Sequence, residues 1–155
     1  MHASADIVVF TLEGRRFGVP MEAVERIIRL IDYHPLPRAP EIVAGVIDFQ
    51  GEVLPLVELR RRFHLPSREP LLSDQLILVR TPRRRLALLV DRTEELAHVP
   101  PADWVPAATI LPRAEHLAGA VKHPDGLILI HDIDACLSLD EEQALNLALA
   151  GPPRS

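Results

Sequence analysis

The chain has 155 residues, 48% apolar but only 4% aromatic, and a formal net charge of −5. That length holds one compact domain or two very small ones, with a core of Val, Ile, Leu and Ala. The acidic balance argues against a general nucleic-acid binder, and the single cysteine, Cys136, excludes an internal disulfide.

Taken in order, Asp6–Leu12 (D-I-V-V-F-T-L) is β-branched and aromatic and predicts a strand. Glu13-Gly14-Arg15 turns it, and Arg16–Val19 returns as a second. Pro20–Val24 predicts one helical turn, with Pro20 at the start, where a missing N–H costs little. Val24–Leu30 spaces its apolar residues ambiguously between helix and strand; the flanking strands favour a strand. A proline-rich loop, Asp32–Pro40, leads into I-V-A-G-V-I-D-F-Q-G-E-V-L-P-L-V-E-L, Ile42 to Leu59. Its two apolar runs, Ile42–Phe49 and Val53–Val57, flank Gln50-Gly51-Glu52, where Gly51 can supply the positive φ of a tight reversal. The second run passes into a short helix, Val57–Phe63, with Leu59 and Phe63 on one face. His64–Ser73 is a connector.

The pattern then returns. Gln75–Thr81 and Arg85–Val90 resemble the first two strands: laying Phe10 over Val79 puts Arg16-Phe17 on Arg85-Leu86 and Ile27 on Leu96. L-A-G-A-V-K-H-P-D-G-L-I-L-I-H-D-I, Leu117 to Ile133, resembles the Ile42 hairpin, with Glu58-Leu59 on Asp132-Ile133 and Phe63 on Leu137. A longer loop around Pro100–Pro112 separates the repeated pieces. Two copies are too few for a solenoid but suffice for two similar barrels of about five strands each, packed together. Fifteen prolines, mostly between apolar runs, suit short strands. Ser138-Leu-Asp-Glu141 has the form of a capping box and opens a C-terminal helix with a stripe of Leu145, Ala148 and Leu149, stopped by Gly151-Pro152-Pro153. That helix either packs on its own body or serves a partner.

Catalytic signatures are absent: no phosphate-binding loop, H-E-x-x-H, C-x-x-C or G-x-S-x-G. His131, Asp132 and Asp134 are metal-ligand types, but adjacent strand residues point to opposite faces and a further ligand is missing. Cys136 reads as a buried, inert thiol. The histidines at 2, 34, 64, 98, 116, 123 and 131 are scattered and read as surface and loop residues. Asp91, Glu94 and Glu95 read as a solvated turn and strand edge. Arg60–Arg62 and Arg83–Arg85 read as a solvated face or a contact for an acidic protein, with a nucleic-acid-binding barrel as the alternative. The N-terminus shows no signal peptide, and no window approaches the roughly 20 apolar residues of a membrane span, which predicts a cytoplasmic protein.

The order of these motifs resembles the CheW-like chemotaxis coupling family. The residues that carry the resemblance are I-V-V-F-T-L-x-G-x-x-F-G-V-P, then V-E-R-I, then the long A-G-V-I-D-F-Q-G-E-V-L-P-L-V-E-L-R, L-x-L-L-V-D and the second L-A-G hairpin. The resemblance implies a mainly all-β fold: two SH3-like five-stranded β-barrels packed together, with short helices and a C-terminal helix. It implies one CheW-like domain over 1–155, with a first barrel over 6–70, a second over 71–139 and a helix over 138–150; the first strand is the candidate to cross between barrels. It further implies a non-enzymatic adaptor, without cofactor, joining a chemoreceptor's cytoplasmic helical tip to the regulatory domain of a CheA-type histidine kinase. Nucleic acid and membrane insertion are not part of that role. The family's receptor-contact positions fall at Val24, Ile27, Gly45 and Leu96, and its coupling turn at Gln50 and Gly51. Glu58 either contacts a partner or anchors the end of the hairpin. One departure stands out: the family commonly has N-L-R-G where this chain has Asp48-Phe49-Gln50-Gly51, so glutamine replaces a guanidinium. Either a nearby arginine, such as those at 60–62, substitutes, or the chain serves a divergent system such as a pilus array.

Overall fold

The computed structural model describes residues 5–106, 116–124 and 126–151. Eleven strands appear among them: β1 (Ala5–Leu12), β2 (Arg15–Pro20), β3 (Val24–Arg29), β4 (Val43–Phe49), β5 (Glu52–Glu58), β6 (Gln75–Arg80), β7 (Arg85–Val90), β8 (Arg92–Val99), β9 (Trp104–Pro106), β10 (Leu117–His123) and β11 (Gly126–His131). Two short α-helices join them, α1 (Leu59–Arg62) and α2 (Leu139–Ala150), with 3-10 turns at Met21–Ala23, Pro101–Asp103 and Ile133–Ala135. Val57 belongs to β5 rather than to the helix expected from that residue on. The expected loop around Pro100–Pro112 holds a turn and β9, and its part from 107 on lies outside the described residues. So do Pro152 and Pro153 of the expected helix stop. The chain is mainly β and forms two SH3-like barrels.

The strands make one six-stranded sheet, β8-β1-β2-β11-β10-β9, and one five-stranded sheet, β3-β6-β7-β5-β4. Each contains one parallel pair, β11 with β2 and β5 with β7; the rest are antiparallel. The two orders repeat each other: a third strand, a first hairpin, then a second hairpin. In both, however, the first hairpin comes from the other half of the chain. β1–β2 sits among β8–β11, and β6–β7 sits among β3–β5. The sheets therefore do not divide at residue 70, as the subdomain expectation had it; both copies exchange their first hairpins.

The exchange explains the unbroken apolar runs. In β1, Ile7 and Val9 face the core of the six-stranded barrel, while Val8, Phe10 and Leu12 face a layer between the barrels. In β6, Leu76 and Leu78 enter the five-stranded barrel and Ile77 and Val79 face the same middle layer. β7 divides alike, Ala87 and Leu89 against Leu86, Leu88 and Val90. Strands buried on both faces cannot alternate apolar with polar. The space between the barrels is consequently a filled core. Phe10, Phe17 and Phe63 stack through it, with centroids 5.9 and 4.7 Å apart, and His131 meets Phe63 edge-on at 5.0 Å.

Candidate functional site

The surface above that layer is open where the two barrels' edge strands, β3 and β8, face each other. Val8 and Val24 form a groove of about 390 Å³ there with Met21, Ile27 and Leu96. Met21 is 46% exposed, Ile27 38% and Leu96 54%. Three large apolar side chains are thus held open to water on one concave surface. Glu25 and Arg26 on β3, and Thr93, Glu94 and Glu95 on β8, complete the lining. Val24, Ile27 and Leu96, expected together, are together. Met21, Val8, Glu25 and Arg26 were not singled out, although Met21 lies one residue past the Pro20 that opens the turn before β3.

Glu94 accepts from Arg16 at 3.1 Å, and Glu25 from Arg85 at 2.7 Å. Arg85 also pairs with Glu52, and these acids hold its guanidinium above the ordinary range, the Glu25 hydrogen bond contributing most. Glu94 and Glu95 thus lie exposed on an edge strand, as the strand-edge reading had it, and with Thr93 they also line the groove.

The β4–β5 turn lies outside the groove lining. Gln50 (φ 51°) and Gly51 (φ 85°) both adopt the left-handed conformation, the signature of a type I′ hairpin. The Gly51 N–H donates to Asp48 Oδ1 at 3.0 Å. Gly45, expected at the receptor contact, is not among the residues lining this groove: it is buried on β4. A Cβ there would come within 2.3 Å of the His34 carbonyl oxygen. The close approach it permits is by the chain's own backbone, since Val46 and His34 exchange hydrogen bonds of 2.8 and 2.9 Å. Glu58 is an anchor: it is 4% exposed, and its side chain caps α1 by accepting from the Arg60 N–H at 3.3 Å. Burial raises its pKa, against the Arg60 N–H bond and the charges of Arg61, Arg60 and Arg68.

In the first arginine run Arg61 is exposed, but Arg60 and Arg62 are buried rather than part of a solvated face. Arg60 is 6% exposed and donates to Asp91 at 3.2 and 2.6 Å, to the Pro66 carbonyl, and to Glu13. Asp91 also accepts from the Glu13 N–H at 3.0 Å and from Arg68, which holds Asp74 at 2.8 and 2.9 Å. This network pins the β1–β2 turn, α1, the 66–74 connector and the end of β7 to one another, so Asp91 is a junction rather than a solvated turn. Arg62, 7% exposed, pairs with Glu141 at 2.5 Å and meets His116 at 3.2 Å. Burial pushes the Glu141 carboxyl up, but the bonds from Ser138 and Arg62 outweigh it and leave its pKa lowered. In the second run, Arg84 donates to Glu142 and Asn146 of α2.

His131, expected at the surface, is fully buried; its Nδ1 donates to the His116 carbonyl at 2.9 Å, and burial lowers its pKa to about 4. Cys136 is buried, its thiol pushed up to about 12 by that burial. No group of three or more His, Cys, Asp and Glu suited to a metal ion occurs among the described residues.

Residues 6–141 match the family described as CheW-like domain. The chain is 25% identical over 145 residues to the chemotaxis protein CheW of Treponema pallidum, covering 90% of this chain and 85% of that one. It is 32% identical over 119 residues to protein FrzA of Myxococcus xanthus, covering 73% and 71%. The crystal structure of the scaffolding protein TtCheW from Thermoanaerobacter tengcongensis superposes with a TM-score of 0.81 at 22% identity, over 88% of this chain and 94% of that one.

Proposed function

This chain belongs to the CheW-like domain family, and on that premise we propose that its β3–β8 groove receives the cytoplasmic helical tip of a chemoreceptor. The protein is a non-enzymatic adaptor of chemotaxis signalling. Such an adaptor works by offering surfaces, and the observation that carries the groove reading is the exposure of Met21, Ile27 and Leu96 along one concavity. An amphipathic helix laid there buries its apolar stripe against them, while Glu94, Glu95 and Arg26 meet its polar margins. Receptor and CheA-type kinase are the two partner classes, and the kinase's regulatory domain takes a surface outside the groove. No helix among the described residues is long and apolar enough to cross a membrane; we place the protein in the cytoplasm, at receptor arrays through its partners.

The nucleic-acid alternative lacks its main feature, because Arg60 and Arg62 are buried in ion pairs. The test is bridging. A receptor cytoplasmic fragment and a kinase regulatory domain that do not co-elute alone should co-elute when this protein is added, and should separate again with Leu96→Asp. Failure of the wild-type protein to bring the two together would overturn the adaptor reading here.

A further inference from the structure

A second groove, sharing no residue with the first, runs between α2 and the loop before β4. Its volume is about 690 Å³. Leu36, Pro37 and Arg38 make one wall, and Ala144, Leu147 and Gly151, along α2 and its C-cap, make the other. Both walls are docked on the body, since Leu36 and Leu145 pack into the same middle layer. Leu147 is nevertheless 75% exposed, and Leu139 also stands in water. A helix that carries leucine away from its core face as well as toward it is fitted to be covered on both sides. Arg38, beside the C-terminal end of α2, and Asp140, in its first turn, are both exposed. Neither side chain makes a hydrogen bond or ion pair among the described residues.

Asp140, Ala144, Leu147 and Gly151 follow one another at i, i+4, i+7 and i+11, so they share one face of the helix. Laid antiparallel against itself about a two-fold axis, that stripe is its own complement. Leu147 of each copy falls on Ala144 of the other, a large side chain on a small one, which lets the helix axes come close. Asp140 of each copy falls at the Gly151 end of the other, where Arg38 lines the groove. We propose that this face is an interface between two copies of the chain, closed by reciprocal Asp140–Arg38 ion pairs. A foreign helix would need the same order of large, small and charged groups; a second copy has it by symmetry. The contact uses no residue of the β3–β8 groove, so the pair carries two such grooves. Only that consequence rests on the receptor reading; the interface itself does not.

Sedimentation of the full chain tests this. The contact is small, so the mass should climb from one chain toward two between about 1 μM and about 1 mM. Leu147→Asp, at an exposed position, should keep the melting transition and weaken association at least about tenfold. Arg38→Glu and Asp140→Arg each set like charges against one another, and each should sediment as a single chain at the wild-type midpoint. Mixed in equal amounts, the two variants regain both ion pairs, and the mixture should dimerise as the wild type does. A folding defect in either variant would not be repaired by adding the other. A wild-type chain that stays single throughout that range, or a mixture no heavier than its components, would overturn the interface. Binding of a kinase regulatory domain that Leu147→Asp abolishes, with the wild-type chain single throughout, would overturn it too and give the groove to that partner.

Discussion

Gln50 occupies a conformation that costs an L-residue with a Cβ about 1 kcal/mol or more, and it is the first of the two central residues of a type I′ turn. Asparagine visits that region far more readily, so Gln50→Asn should stabilise the protein by about 0.5–1 kcal/mol in denaturant melts. Gly45 makes the opposite case. A methyl there meets a carbonyl oxygen at 2.3 Å, so Gly45→Ala should cost about 2–3 kcal/mol, and a tryptophan should unfold the barrel rather than block a partner. Sequence gave reason to mark this glycine but not to see what approaches it: the intruding backbone, His34, lies in a proline-rich loop eleven residues earlier. His131 supplies a pH dependence. Its folded pKa, lowered to about 4, lies below its ordinary 6.5, so the unfolded chain binds the extra proton first. Stability should be complete above pH 6.5 and fall on acidification through the window down to about 4, by about 3 kcal/mol in total. His116, Asp132 and Arg62 act on the same ring, and Glu141 loses its favourable ionisation toward the acid end of that window. Glu58, with its raised pKa, bears on the same pH range. The histidine is therefore isolated by comparing melts between pH 6.5 and 5 in the wild-type protein and in His131→Leu, in which the loss of stability on acidification should shrink.

At the scale of elements, local chemistry was the most legible. Ser138 accepts from the Glu141 N–H at 3.1 Å and its own N–H donates back to Glu141 at 2.8 Å, the reciprocal cap that the S-x-x-E spacing predicts. Ser138→Ala should cost about 1 kcal/mol, measured as a lowered Tm. Of the apolar stripe expected on this helix, Leu145 and Ala148 pack inward, while Leu149 stays 38% exposed. Of β8 only a strand edge at Glu94 and Glu95 was foreseen. Thr93, Glu94 and Glu95 give it a polar reading, and only its ladder with β1 shows why it is extended. The arginine runs misled for a related reason. Charge in a row suggests solvent, but the partners of Arg60 and Arg62 lie 31 and 79 residues away in the chain. Pairing across such separations leaves no local mark.

The whole molecule is two barrels made from exchanged hairpins. The duplication was readable, because Phe10 with Val79 and Gly45 with Gly119 keep their order. Of the exchange, only the crossing of the first strand was expected, from the family resemblance. That whole hairpins exchange in both copies was not readable, because a hairpin's sequence is the same whichever barrel receives it. A fragment ending at residue 70 therefore lacks β6 and β7, which supply Leu76, Leu78, Ala87 and Leu89 to its barrel core. Alone it should show no cooperative melting transition.

Interaction at the groove is the claim on which the functional account stands, and calorimetric titration with a receptor-tip helical hairpin tests it most directly. Leu96→Asp and Ile27→Asp, both at exposed positions, should leave the melting transition in place and weaken binding at least about tenfold, as expected for apolar anchors at the centre of an interface. Wild-type affinity in both folded variants would contradict the account.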